Sequence, residues 1–304
     1  MSSLENSFRR VAIAGLGLLG GSLGLALKRA GFTGQIVGYA RRPATRQQAL
    51  SAGAVDEVFD DVTLAVRDAD LVVLATPVAV ILDLLPRLQS HVPPQALITD
   101  VGSTKRRICE YAAEFYDERP LFLGAHPMAG KERSGLEHAD ARLFENARYI
   151  LTPIKTEHLS DARVEAFRAL VTKLGARPLI SDPATHDRTV AYVSHLPQLL
   201  SSGLASLVGE RCEADELPLE MAGSGFRDVT RIADSPYSVW RDICLTNSEN
   251  IHLAIDALIA KLESIRVHLC DRELEREFTA AHALRDKLRE LHRADASGAD
   301  DGKG

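Results

Sequence analysis

Two features of this 304-residue sequence predict an α/β chain in which a doubly wound, mostly parallel sheet is followed by an all-α domain. Short all-apolar runs alternate with helical patterns over the first 180 residues, without the polar alternation of a half-exposed antiparallel sheet. Strand signals then stop, and helical periodicity continues nearly to the end. The length suits two domains, and 45% apolar residues can fill two cores. The expected division is 1–181 for the sheet domain and 182–292 for the helical domain. Residues 293–304, rich in Ala, Asp and Gly, are expected to be a disordered tail.

Val11-Ala12-Ile13-Ala14 is the first strand, and it runs into Gly15-Leu16-Gly17-Leu18-Leu19-Gly20. Ser22 to Ala30 reads as a helix closed by Gly31, Gln35 to Tyr39 as the second strand, and Ala44 to Ala52 as a helix ended by Gly53. Asp70 to Ala75, Ala96 to Asp100 and Leu121 to Ala125 are further buried strands. A helix from Ala79 to Leu88 follows the first of these, and another helix separates the last two. Arg148 to Thr152 and Arg177 to Ile180 are the last strands, on either side of a helix from Asp161 to Leu174. From Ala184 the pattern is helical: Val190, Val193, Leu196, Leu200 and Leu204 share one face, and a loop is expected at Leu217-Pro218-Leu219. Ile251, Ile255, Leu258, Leu262, Ile265 and Leu269 keep a four-three spacing that suits either a core stripe or a dimer seam. There is no internal repeat.

The net charge of −6 comes from acidic and basic residues mixed along the chain, which argues against a nucleic-acid surface. The longest apolar run, Leu71 to Leu85, is broken by Thr76, Pro77 and Asp83, so no membrane span is expected. Met1 to Arg10 is polar and lacks an apolar secretory core, so the expected location is the cytoplasm. Cys109, Cys212, Cys244 and Cys270 lie far apart without metal-binding spacing and read as reduced thiols, and no metal site is expected.

The glycine turn lies between a strand and a helix, the setting of a dinucleotide-binding, Rossmann-type fold. There Gly15 makes the tight turn, Gly17 lets the backbone approach a pyrophosphate, and Gly20 lets helix and strand pack closely, with Leu18 and Leu19 between them. The phosphates would meet the free amides at the helix start. An acid that would bind the ribose hydroxyls of NAD is missing after the second strand, which ends Gly38-Tyr39-Ala40-Arg41-Arg42. Arg41 and Arg42 suit a 2′-phosphate, so NADP is favoured, with NAD possible. Thr76 and Pro77, with Gly102 and Ser103, end two other strands at the ligand-binding edge of such a sheet and are expected to line the nicotinamide pocket.

His126 directly follows a predicted strand on that same edge and can serve as a base. Ser194-His195-Leu196-Pro197-Gln198 puts a second histidine on the first long helix of the helical domain, and Asp228 and Arg231 are spaced for one helical face.

In Gly15 to Gly20, Asp100 to Lys105, His126 to Glu132, Ser194 to Pro197, and Gly225 to Ala233 with Trp240, the chain resembles the prephenate and arogenate dehydrogenases of tyrosine biosynthesis. The resemblance covers about residues 10 to 270. It implies an oxidative decarboxylation in which hydride leaves C4 of a cyclohexadienol ring for the nicotinamide, the ring carboxylate departs as carbon dioxide, and the ring becomes aromatic. It further implies that His126 accepts the proton of the C4 hydroxyl and that Ser103 orients that hydroxyl. Arg231 would bind a substrate carboxylate and be held by Asp228, with His195, Glu132 and Ser224 as further groups of the substrate pocket. Gln198 stands where many relatives have a histidine that recognises the side chain, which leaves prephenate and arogenate both open as substrates, with a lean to prephenate. A homodimer through the C-terminal helices is also implied. The roughly 35 residues after Leu269 are too few for the regulatory domain or fused mutase that some relatives carry. A β-hydroxyacid dehydrogenase or imine reductase would share the architecture but would not need His126 or the Gly225 to Ala233 segment. A non-catalytic NADP sensor would have no use for Ser103, His126 and Arg231 together.

Overall fold

The structure, a computed structural model, describes residues 8–116, 119–213 and 216–297. Eight strands form one sheet: β1 (Arg10–Ala14), β2 (Gln35–Tyr39), β3 (Glu57–Phe59), β4 (Leu71–Leu74), β5 (Leu97–Asp100), β6 (Leu121–Pro127), β7 (Arg148–Pro153) and β8 (Arg177–Ile180). Their order is β3-β2-β1-β4-β5-β6-β7-β8, parallel throughout except where β7 runs antiparallel to β6. The strand order reverses between β1 and β4, so the connections diverge there and open a crevice at the carboxyl ends of the strands.

The connections place α1 (Leu18–Arg29), α2 (Pro43–Ser51), α3 (Val62–Val66), α4 (Val78–Leu88), α5 (Arg106–Ala112) and α6 (Ala162–Lys173) around the sheet. Val11, Ile13 and Val73 share one core with Leu23 and Leu27 of α1 and Phe167 of α6. Ala12, Ala14 and Val72 share the other with Ile81, Leu84 and Leu85 of α4. Helices covering both faces explain why these strands read as unbroken apolar runs.

Beyond the sheet come α7 (Pro183–Val190), a π-helical turn at Ala191–His195, α8 (Leu196–Cys212), α9 (Leu217–Glu220), α10 (Ser224–Thr230), α11 (Tyr237–Thr246), α12 (Ser248–Val267) and α13 (Glu273–Ser297). The chain divides into two compact units, residues up to 251 and from 252 on, and the expected boundary at 181 falls inside the first. In the second unit Lys261 donates to Glu277 at 2.8 Å, tying α12 to α13, while Leu262, Phe278, Leu284 and Leu291 stay exposed.

Several expectations need correction. Strand β3 and helix α3 carried no sequence signal, because three and five residues are too few to show a period. Leu217-Pro218-Leu219 is a short helix instead of a loop, with Pro218 in its first turn, where its fixed φ is suited. The stripe from Val190 to Leu204 is not buried as one face: Val193 is 64% and Leu200 43% exposed, because the π turn inserts a residue and shifts the helical phase. Helix α13 extends through Ser297, into the expected tail, where alanines favour helix; residues 298–304 lie outside the described residues.

Candidate active site

At the crevice, β1 ends in Gly15, whose φ of +109° and N–H to the Tyr39 carbonyl (3.0 Å) turn the chain sharply. A Cβ at Gly15 would sit 2.5 Å from the Ala75 carbonyl oxygen, so the turn admits no side chain. A Cβ on Gly20 would collide with the Gly15 carbonyl, which is the close helix-strand approach the motif needs. At Gly17 the space is open, with nothing within 4 Å of a Cβ, and Gly17 caps α1 without any side-chain hydrogen bond. Open space at a helix start without a side-chain cap has the geometry that can accept a phosphate group. The helix begins at Leu18, four residues earlier than expected, so the turn feeds its amides directly into the crevice.

A cleft of about 560 Å³ continues from this turn, and Leu18, Leu19, Thr76, Pro77, Gly102 and Ser103 are on its wall. Arg41 and Arg42 lie outside that wall, exposed at the end of β2, where Arg46 Nη1 braces the loop by donating to the Ala40 and Arg41 carbonyls (2.9 Å each). Asp242 of α11, 3% exposed, accepts from the Ala79 N–H at 3.1 Å and so docks α11 on the start of α4. This brings Trp240 to the cleft.

His126 lies inside β6, paired opposite Ile150, not after the strand as expected; the antiparallel neighbour β7 carries the pairing two residues further than the apolar run. It lines the cleft and is 7% exposed. Beneath it, Lys105 Nζ makes an ion pair with Asp100 and donates to the Ala125 carbonyl at 2.8 Å, and both charged side chains are fully buried. Asp100 also accepts from the N–H groups of Gly102 (2.8 Å) and Ala125 (3.0 Å), which locks the end of β5 to the residue before His126. Burial, and then the nearby His186, Lys105 and His195, hold the His126 imidazole far below its ordinary value of 6.5. It is therefore neutral near pH 7, the form that can accept a proton.

Sequence reasoning missed two groups here. His186 Nε2 lies 2.9 Å from His126 Nδ1, and His186 Nδ1 lies 2.7 Å from Asp187 Oδ1. The available signal was a His-Asp pair in the first helix after the last strand, just past the Asp182 cap of α7.

The π turn carries Val193 and Ser194 to the cleft. His195, fully buried, faces the Asn247 amide nitrogen at 3.2 Å through Nδ1 and packs edge-on against Trp240. Its Nε2 has no hydrogen-bond partner among the described residues, and burial pushes its pKa down to about 4. Gln198 does not reach the wall: its amide nitrogen donates to the Ile232 carbonyl (2.8 Å) and to Ser202 Oγ (3.2 Å), tying α8 to the turn after α10. Arg231 makes its ion pair with Glu132 of the cleft rim, not with Asp228 as expected. The helix ends at Thr230 and passes into a 3₁₀ turn, so the three-residue spacing no longer aligns the two. Asp228 and Ser224 are exposed.

Residues 23–180 match a family model described as prephenate dehydrogenase, nucleotide-binding domain, and residues 182–283 one described as prephenate dehydrogenase, dimerization domain. A prephenate dehydrogenase of Bacillus subtilis is 37% identical over 91% of this chain and 76% of its own. The fold matches that of the Aquifex aeolicus prephenate dehydrogenase, solved in complex with hydroxyphenyl propionate and NAD+, with a TM-score of 0.79 at 30% identity over 96% of this chain and 99% of that one. It also matches a Synechocystis arogenate dehydrogenase, with a TM-score of 0.76 at 30% identity over 92% and 99% of the two chains. The first family model begins after the glycine turn, so the geometry of that turn is separate support for the cofactor cradle.

Proposed function

The chain belongs to the prephenate dehydrogenase family, whose members are NAD-dependent oxidoreductases, and from that premise we propose that it converts prephenate to 4-hydroxyphenylpyruvate by oxidative decarboxylation. The observation that carries this reading is a neutral, nearly buried imidazole, His126, in a cleft continuous with a dinucleotide cradle. When bound, the nicotinamide supplies the hydride acceptor. His126 takes the proton of the C4 hydroxyl through Nε2, because Nδ1 is committed to His186. Ser103 orients the same hydroxyl from the cleft wall. Loss of that proton leaves electron density on the oxygen as hydride departs, and loss of the ring carboxylate as carbon dioxide completes the aromatic ring. Arg231, a permanent cation, exchanges Glu132 for a substrate carboxylate, and His195 supports the pocket through its packing against Trp240 of the cleft wall. Asp228, Ser224 and Gln198 act on substrate only indirectly, Gln198 through its bond to Ile232 next to Arg231.

NADP is the proposed cofactor, supported by the lack of an acid after β2 and by the exposed Arg41 and Arg42 there. The helical region 182–292 is proposed as the dimerisation domain, supported by the family-model match and by the exposed apolar residues of α12 and α13. No helix among the described residues is long and apolar enough to cross a membrane, and we place the enzyme in the cytoplasm.

The experiment is an initial-rate measurement of nicotinamide reduction with prephenate and arogenate, each against NAD and NADP. Turnover with prephenate and NADP is expected to be fastest; faster turnover of arogenate would move the substrate assignment, and silence in all four would overturn the reaction. Replacing Arg41 and Arg42 with Ala should raise the KM for NADP by about tenfold or more, as loss of a charge-assisted contact does, and leave that for NAD unchanged. Equal weakening of both refutes the 2′-phosphate site.

A further inference from the structure

With both imidazoles neutral, the run Asp187, His186, His126 has one arrangement of protons. Asp187 accepts backbone N–H bonds at both oxygens, from Lys105 at Oδ1 (2.7 Å) and from Arg106 at Oδ2 (3.0 Å), which is the behaviour of an ionised carboxylate. His186 Nδ1, 2.7 Å from Oδ1, must then be a donor. In a neutral His186 the lone pair lies on Nε2, so His126 Nδ1, 2.9 Å away, is the donor of the next bond. The His126 lone pair is thus on Nε2, the nitrogen left for the cleft.

We infer that His186, oriented by Asp187, is a positioning residue that fixes His126 in its Nδ1–H tautomer and shares the positive charge formed when Nε2 takes the substrate's proton. In that step the hydroxyl O–H bond breaks and the Nε2–H bond forms, while the C4–H electron pair would pass as hydride to the oxidised nicotinamide cofactor, which serves as the two-electron oxidant. The charge forms where it is poorly tolerated. The groups facing His126 are Lys105, His195 from the π turn and His186 itself; Lys105 is already paired with the Asp100 carboxylate, and the anion that a hydrogen-bond chain joins to the imidazole is Asp187, by way of His186. Asp187 is fixed in turn by its two bonds to the start of α5, and its carbonyl accepts from Asn247 at 2.8 Å. Its carboxylate therefore cannot turn without breaking the α5 cap. Both His186 and Asp187 are nearly fully buried, so water does not compete for these bonds.

This inference rests on the proposed reaction only for its kinetic part, and two measurements separate the parts. Nitrogen-15 spectra of histidine-labelled enzyme at pH 7 should show His126, assigned by comparison with His126→Asn, protonated at Nδ1 and bare at Nε2. The opposite tautomer overturns the hydrogen-bond chain whether or not the enzyme turns over. Kinetically, His186→Met, which fills the site but offers only a weak thioether acceptor, should lower kcat about 10²-fold or more with KM for substrate and cofactor within about twofold. His186→Gln can present an amide oxygen near the Nε2 position and should recover at least tenfold of that loss, which a merely space-filling role would not predict. Unchanged kcat in His186→Met, or equal loss in the Met and Gln variants with folding intact, overturns the positioning role. If no substrate turns over even in the unsubstituted enzyme, the reaction assignment fails, and the tautomer result still decides the chain.

Discussion

Replacing Lys105 with Met would remove the cation from the floor of the cleft and keep most of its apolar stem. The ammonium and the Asp100 carboxylate are both fully buried, and the ammonium also satisfies the Ala125 carbonyl. After the substitution Asp100 keeps the N–H groups of Gly102 and Ala125 but has no counter-charge, and the Ala125 oxygen loses its side-chain donor. Breaking a buried pair by removing one partner costs about 3–5 kcal/mol, because the remaining charge is left desolvated. Methionine is flexible and close in volume, so the added cavity cost is small. A domain stable by about 5–15 kcal/mol would still fold, with its urea midpoint lowered by about 1–2 M for a slope near 3 kcal/mol/M. The assay is urea unfolding followed by circular dichroism at one protein concentration, since dimerisation would make stability depend on it. kcat should fall as well, because the carbonyl that loses its donor belongs to the residue preceding His126. A loss under about 1 kcal/mol would refute the reasoning and show that the backbone bonds to Asp100 suffice to hold the end of β5 to β6.

Within the glycine turn, Gly17→Ala should fold normally, since open space surrounds its Cβ, yet raise the cofactor KM at least tenfold, whereas Gly20→Ala should destabilise the protein because its Cβ meets the Gly15 carbonyl; equal effects would refute the division of roles. Arg231→Ala should raise the substrate KM about tenfold or more with kcat within about twofold, and an unchanged KM would remove it from the substrate site. The pH dependence of stability has a definite sign. With a folded pKa of about 4 against an ordinary 6.5, His195 contributes its full share above pH 6.5, and that share is lost as pH falls toward 4, because the unfolded chain binds the proton and the folded one does not. Between pH 7 and 4.5 the unsubstituted protein should therefore lose about 2–3 kcal/mol more than His195→Gln in urea unfolding, and equal losses would refute the buried neutral state.

What the chain could reveal without its fold was local. Val11 to Ala14 running into Gly15 was legible because a buried strand and a tight turn are written in neighbouring residues, and the acid missing after β2 is likewise a matter of sequence position. The family resemblance extended this reach to Ser103, His126 and Arg231, which do lie on or beside one cleft. The shortest elements were lost, since β3 and α3 have too few residues for a period, and the π turn at Ala191–His195 defeated the helical stripe by shifting its phase. Partners were decided by packing alone. His126 and His186 are 60 residues apart, and Arg231 and Glu132 are 99 apart, so no spacing rule could pair them. Asp228, three residues from Arg231, seemed the natural carboxylate until the helix ended at Thr230 and the guanidinium met the rim of the cleft instead. Backbone conformation is set by adjacent residues, whereas the state of a buried imidazole is set by whichever charges the folded sheet and helices bring beside it. The glycine turn and a histidine at the sheet edge were therefore legible in the sequence, and the tertiary structure decided that one nitrogen of that histidine meets His186.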